Sequence, residues 1–190
     1  MKKLILASKS PRRKELLSSI YNGDFLIVPS DIDEEAILST GLEDKVVKIA
    51  LAKLKKVQEE YPNSIIIASD TIVVFNNKPL GKPKDEVHAF NMLKELSGKY
   101  HEVFTSYAIS SLNGEIFSGL TKSKVYIEFL TDEEIKNYLN LYKPYDKAGS
   151  YGIQDAGLKA EVIEGRKDIV MGFPTLEVET ILKELHIITK

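Results

Sequence analysis

Not one of the 190 residues is a cysteine, which excludes disulfides, thiolate metal sites and a thiol nucleophile, and suits a reducing compartment. Histidine is scarce. His88, His101 and His186 are the whole set, and their spacing matches no zinc-binding pattern, which argues against zinc hydrolysis. An excess of one charge is missing too: 26 Lys and Arg stand against 28 Asp and Glu, a formal net charge of −2. Without a concentrated basic stripe, nucleic acid is a poor candidate partner. Long apolar runs are also lacking. Met1-Lys2-Lys3 and Leu4-Ile5-Leu6-Ala7 have the outline of an export signal, but the run breaks at Ser8-Lys9. No later run reaches the roughly 20 residues that span a bilayer. These absences predict a soluble, cytoplasmic protein with no membrane partner. With neither internal repeat nor low-complexity linker, residues 1–190 are expected to form a single domain.

What the chain does have is apolar content of 43%, enough for a sizeable core. Leu4 to Ala7 and Phe25 to Val28 read as short strands. Ser10 suits an N-cap and Pro11 the first position of a helix whose apolar face begins at Leu16-Leu17. Val47, Ala50, Leu54, Val57 and Tyr61 form one stripe of a helix over 45–61, with Lys53 at the edge of that stripe. Two β-branched runs, Ile65 to Ala68 and Ile72 to Phe75, flank Ser69-Asp70-Thr71. Asn76-Asn77 then predicts a hairpin turn, because Asn tolerates positive φ. Asp85 is placed to cap a helix that Gly98 stops. Strands are expected over 103–110 and 124–129, with a turn at Asn113-Gly114. A capping box at Thr131 starts a helix to about Tyr142, and a last helix covers 175–185. Alternating strands and helices predict an α/β protein with a central sheet.

Four segments carry candidate chemistry. Arg12 and Arg13 fall in the first turn of the first helix, at the positive end of its dipole, where a cation is misplaced by about 0.3–1 kcal/mol. An anion such as phosphate would complete that arrangement; the alternative is a solvated basic cluster. Asp70 lies between strongly apolar segments, where a carboxylate needs a partner or a cation, unless its oxygens accept local backbone N–H groups at a bend. Downstream, Gly81-Lys82-Pro83-Lys84-Asp85 puts Lys82 on a stiff loop, either to meet a phosphate or as a solvated turn. A fourth segment, Asp146 to Gln154, brackets Tyr151 with small residues and ends on Gln154, which offers both donor and acceptor to a base edge. It also reads as a glycine-containing turn.

Five segments, in order along nearly the whole chain, together resemble the Maf family of nucleoside triphosphate pyrophosphatases. They are Leu6-Ala7-Ser8-Lys9-Ser10-Pro11-Arg12-Arg13, Ser69-Asp70-Thr71-Ile72-Val73, Leu80-Gly81-Lys82-Pro83, His101-Glu102-Val103-Phe104-Thr105 and Asp146-Lys147-Ala148-Gly149-Ser150-Tyr151-Gly152-Ile153-Gln154. The resemblance implies an α/β fold with an elongated central mixed sheet flanked by helices, in two lobes around a cleft, related to inosine triphosphate pyrophosphatases. It implies a divalent cation, Mg²⁺ or Mn²⁺, and frequent homodimers. It makes Asp70 the general base and, with Glu34, a metal ligand. Ser8, Arg12, Arg13, Lys53 and Lys82 take the phosphate-binding positions. Arg12, Thr71 and Gln154 match the branch acting on dTTP and UTP rather than on 7-methyl-GTP. Three departures stand out: Lys143 before Pro144 where Glu is usual, Asp155 after Gln154 where Gly is usual, and an altered segment from Asp168 to Pro174.

The reaction so implied is hydrolysis between the α and β phosphates, yielding monophosphate and pyrophosphate. Positive side chains and the cation would neutralise the phosphates, and Asp70 would take the proton of the attacking water or hold the metal that activates it. The competing expectation is a nucleotide-binding regulator of septum formation with little turnover. An intact Asp70 counts against it, since a pure binder has no need of that carboxylate. His101 reads as structural, and Tyr138, Tyr142 and Tyr145 as packing residues.

Overall fold

The computed structural model describes residues 3–189, so the basic start Met1-Lys2 lies outside the described residues. The strands are β1 (Leu4–Leu6), β2 (Phe25–Ile27), β3 (Ile65–Phe75), β4 (Lys78–Leu80), β5 (Tyr100–Ser110), β6 (Ile116–Ile127) and β7 (Ala160–Glu164). The helices are α1 (Pro11–Ile20), α2 (Leu42–Glu60), α3 (Glu86–Leu96), α4 (Asp132–Tyr142), α5 (Lys167–Met171) and α6 (Thr175–Glu184), with a 3₁₀ turn at Ala148–Ser150. The strands form one seven-stranded sheet in the order β2-β1-β3-β5-β6-β7, with β4 also on β3. β1 pairs in parallel with β2 and β3, whereas β4 and β7 pair antiparallel with β3 and β6. The sheet is therefore mixed and the protein is α/β.

The chain divides into two compact units: Met1–Asp70, Thr105–Thr121 and Gly172–Lys190 in the first, Thr71–Phe104 and Lys122–Met171 in the second. In the first unit, side-chain alternation along β1 and β3 sorts residues to two covered faces. Leu4, Leu6, Ile65 and Ile67 pack with Leu17 of α1 and Val178, Ile181 and Leu182 of α6. Ile5, Ala7, Ile66 and Ala68 meet Ala50, Leu54 and Val57 of α2. Each fully buried Leu or Ile contributes about 1.5–3 kcal/mol, so the continuous apolar runs of β1 and β3 follow from burial on both sides. In the second unit one layer of helices covers the sheet: Val73, Phe75, Val103, Val125 and Ile127 pack against Leu93 and Leu96 of α3 and Ile135, Tyr138 and Leu139 of α4.

Local signals hold where the interaction that makes them is local. Asn76 and Asn77 adopt φ of 50° and 60°, the left-handed pair that a two-residue hairpin needs. The Thr131–Glu134 capping box forms, and the Asp85 side chain accepts from the His88 N–H. Ser10 departs from expectation. Its backbone is extended but its side chain makes no capping bond, and Ser8 Oγ instead accepts the Ser10 N–H at 3.1 Å. The two runs around Ser69-Asp70-Thr71 are one uninterrupted strand of 11 residues, so Asp70 sits in mid-strand rather than at a bend. β7 and α5 were not expected; β7 is half polar and α5 barely more than one turn, too weakly patterned for periodicity to reveal.

Candidate active site

β3 aims Asp70 and α2 supplies its partner. Asp70 shares the even-numbered face with Ile66 and Ala68, the face that packs on α2. On α2, Lys53 lies one turn from both Ala50 and Val57, so it points at the same layer, and it is buried along with them. Its Nζ donates to Asp70 Oδ1 at 2.7 Å and pairs with Glu34 Oε1 at 2.8 Å. The Asp70 and Lys53 side chains are 9% and 11% exposed, that of Glu34 48%. One ammonium thus links an inner carboxylate to an outer one. Two buried charges that answer each other avoid the several kcal/mol that a lone buried ion costs.

Arg13 reaches the same neighbourhood from α1. Its Nε donates to the Gly172 carbonyl at 2.8 Å and its Nη1 to Ser8 Oγ at 3.4 Å. Burial pulls this guanidinium below its ordinary value; Asp70 and Glu34 oppose the pull through their negative charge, while Arg12 adds to it. Arg13 remains a cation all the same, as guanidinium does in proteins. The first unit therefore gathers Ser8, Arg12, Arg13, Glu34, Lys53 and Asp70.

Three supporting residues escaped sequence reasoning. Ser69 Oγ reaches the Ser106 carbonyl at 2.7 Å and the Gly172 carbonyl at 3.0 Å. Ser106 Oγ donates to the Val46 carbonyl at 2.7 Å. Gly172 so receives both Arg13 and the residue before Asp70, tying the guanidinium to β3. The available signal was the run of small hydroxyl residues at Ser69, Thr105 and Ser106 inside otherwise apolar strands.

The remaining expected residues belong to the second unit. Thr71 follows Asp70 on β3 and is partly buried, and Lys82 is exposed on the loop after β4. Gln154 is exposed in a turn beyond the 3₁₀ segment. The loop of Lys82 and the 146–154 segment meet through the Gly149 N–H, which donates to the Gly81 carbonyl at 3.1 Å. Gly149 takes φ +69°, and a Cβ there would stand 3.1 Å from Val73 Cγ2, so the segment needs glycine at that point. His101 Nε2 lies 2.6 Å from Tyr151 Oη, and Tyr138 is buried among the apolar residues of this unit. A separate hollow of about 610 Å³ is lined by Val74, Asn76, Tyr100, Lys122, Lys124 and Glu164 among others; none of the expected site residues lines it.

A carboxylate held by one ammonium, in the same unit as two guanidinium groups at a helix N-terminus, has the residue types that anion-handling chemistry needs. The sequence profile of the family described as Maf-like protein matches residues 3–185, and the chain belongs to that family. A Pyrococcus furiosus relative named dTTP/UTP pyrophosphatase is 43% identical over 187 residues, covering 98% of this chain and 97% of its own. A Geobacillus relative of the same name is 46% identical, covering 92% and 93%. Among solved structures, the Staphylococcus aureus Ham1 protein superposes with a TM-score of 0.45 at 16% identity, over 66% of this chain and 72% of that one, too distant to add to the assignment.

Proposed function

We propose that this protein is a nucleoside triphosphate pyrophosphatase that hydrolyses dTTP and UTP to the monophosphate and pyrophosphate. The relatives' shared name supports the substrate, and the Lys53-held Asp70 is the observation that carries the chemistry. A triphosphate repels an incoming water until its charge is answered. Arg12 and Arg13 supply positive charge at the α1 N-terminus, where the helix dipole adds to it. Ser8 contributes a hydroxyl next to them. Asp70 accepts the proton of the attacking water, a role worth about 10²–10⁴ in rate, and pyrophosphate leaves. Lys82 as a phosphate ligand, and Thr71 and Gln154 as readers of the pyrimidine alongside Arg12, follow from the family resemblance.

A divalent cation, Mg²⁺ or Mn²⁺, belongs to the same reading. The donor set fits: hard carboxylate oxygens of Asp70 and Glu34 converge on one positive group. Among the described residues no cluster of three His, Asp or Glu could hold a metal alone. Mg²⁺ characteristically takes one or two carboxylates and fills its shell with substrate phosphate and water. Bound there, it would neutralise phosphate charge and stabilise the leaving pyrophosphate. The reading extends to a cytoplasmic homodimer, which sedimentation would check.

The decisive assay is pyrophosphate release from dTTP, UTP and 7-methyl-GTP, with Mg²⁺, with Mn²⁺ and with chelator. Metal-dependent release from the two pyrimidine nucleotides is expected. Release confined to 7-methyl-GTP would move the protein to the other branch of the family. Tight nucleotide binding without release would make it a nucleotide-responsive regulator.

A further inference from the structure

The segment that presents Gln154 is pinned on both sides by buried polar contacts from two different elements of the second unit. On one side Tyr138, in the buried face of α4, donates its hydroxyl to Asp155 Oδ2 at 2.6 Å and accepts the Gly152 N–H at 3.0 Å. One phenol oxygen thus closes a loop of four residues. Burial and the Asp155 carboxylate push the Tyr138 phenol far above its ordinary value, so it stays a donor at every physiological pH. On the other side Tyr151, 5% exposed, is held through its hydroxyl by His101 of β5, whose ring meets the Tyr151 ring edge-on at 5.3 Å.

The backbone leading into these anchors is committed as well. Gly149 and Ser150 both lie in the left-handed region, at φ 69° and 62°, which for Ser costs of order 1 kcal/mol and persists only where the surroundings impose it. A Cβ on Gly152 would sit 2.7 Å from Asp155 Oδ2, so the position of the carboxylate demands glycine at 152. Between buried Tyr151 and the anchored Asp155, Gln154 itself is exposed. The reader is free at its tip and held at both ends.

We propose that His101 and Tyr138 are positioning residues for substrate selection: through Tyr151 and Asp155 they hold Tyr151–Asp155 in the one conformation from which Gln154 reads the pyrimidine. The proposal rests on the nucleotide pyrophosphatase reading above. It gives Asp155, one of the chain's departures from the family pattern, a definite part as the acceptor that locks the loop to α4. Neither His101 nor Tyr138 is among the residues assigned to the phosphates or to the proton transfer, so loosening the clamp changes which base is held and how well, with the hydrolytic step little altered.

The test compares wild type with Tyr138→Phe, Asp155→Gly, Asp155→Asn and His101→Asn, measuring kcat and KM for dTTP, UTP, dCTP and dATP. Tyr138→Phe keeps the ring in the core and removes only the hydroxyl. It and Asp155→Gly are expected to raise KM for dTTP by about five- to tenfold, the range of one or two hydrogen bonds. Discrimination against dCTP should fall by a similar factor while kcat stays within about twofold. Asp155→Asn, which keeps an acceptor, should recover most of the loss. Amide hydrogen exchange of residues 151–155 should quicken in Tyr138→Phe, a readout independent of turnover. Active variants with wild-type KM and discrimination, differing only in melting temperature, would overturn the clamp and leave the pyrophosphatase reading standing. A wild-type protein that releases no pyrophosphate would remove both.

Discussion

Lys53 Nζ stands 2.7 Å from Asp70 Oδ1, joining a helix to a strand across a layer that is otherwise Ile5, Ile66, Ala68, Ala50 and Leu54. A salt bridge set among such neighbours is neither an exposed ornament nor a source of large net stability. Removing the ammonium leaves a buried carboxylate without its partner.

That relationship predicts the behaviour of Lys53→Met. The apolar replacement removes the ammonium that Asp70 pairs with. Stability to urea should drop by about 3 kcal/mol. Adding Asp70→Asn to Lys53→Met should restore much of it, because no buried ion is left unpaired. Equal losses in the single and double variants would show that the pair is not coupled.

Asp70→Asn alone separates chemistry from binding. The amide keeps the shape of the side chain, and Lys53 retains Glu34 at 2.8 Å. Pyrophosphate release should fall by at least about 10²-fold, with nucleotide affinity by calorimetry within a few-fold of wild type. Retention of more than a few per cent of turnover would take the proton-accepting role away from Asp70.

For Lys82→Ala the expected signature is different. Lys82 is exposed on its loop, so folding should be unaffected and the loss should appear chiefly as a higher KM with a weakened rate. A kinetic profile identical to wild type would reduce this lysine to a turn residue.

His101 predicts a pH dependence of stability. Burial lowers its pKa from 6.5 to about 4, and its Nδ1 has no hydrogen-bond partner among the described residues. The unfolded chain therefore binds a proton at this site as pH drops below 6.5, while the folded protein does not until about pH 4. Stability is fully present above pH 6.5 and is lost progressively from there down to about pH 4, by about 3 kcal/mol in all. Urea titrations of wild type and His101→Asn between pH 7 and 4 should differ in slope over that window. Parallel curves would mean that His101 titrates normally in the fold.

The parts of the fold legible in the sequence were those written by short-range chemistry. Asn76-Asn77, the Thr131–Glu134 box and the α2 stripe each depend on residues within one turn of each other, so pattern suffices. Ser10 shows the limit of that logic: its residue type suits a cap, yet Ser8, two residues earlier, answers the local N–H. Asp70 is a second case. Its β-branched flanks were recognised, but a polar triplet between them reads equally as a bend or as strand. Pairing with Lys53, 17 residues away in sequence, makes the strand continuous by giving the carboxylate a partner inside the layer.

The sequence by itself determined the class of protein, α/β, because alternating strand and helix patterns and two-sided apolar runs permit little else. It also singled out the acid, the guanidinium pair and the glutamine-bearing segment by residue type. Only the tertiary structure decided that one lysine serves both Asp70 and Glu34, that Gly172 receives Arg13 and Ser69 together, and that Tyr138 locks Gly152 to Asp155. Each of those contacts joins residues far apart in the chain through a single atom. Such contacts depend on where strands and helices stack, and that depends on the packing of the whole unit, which no local pattern records.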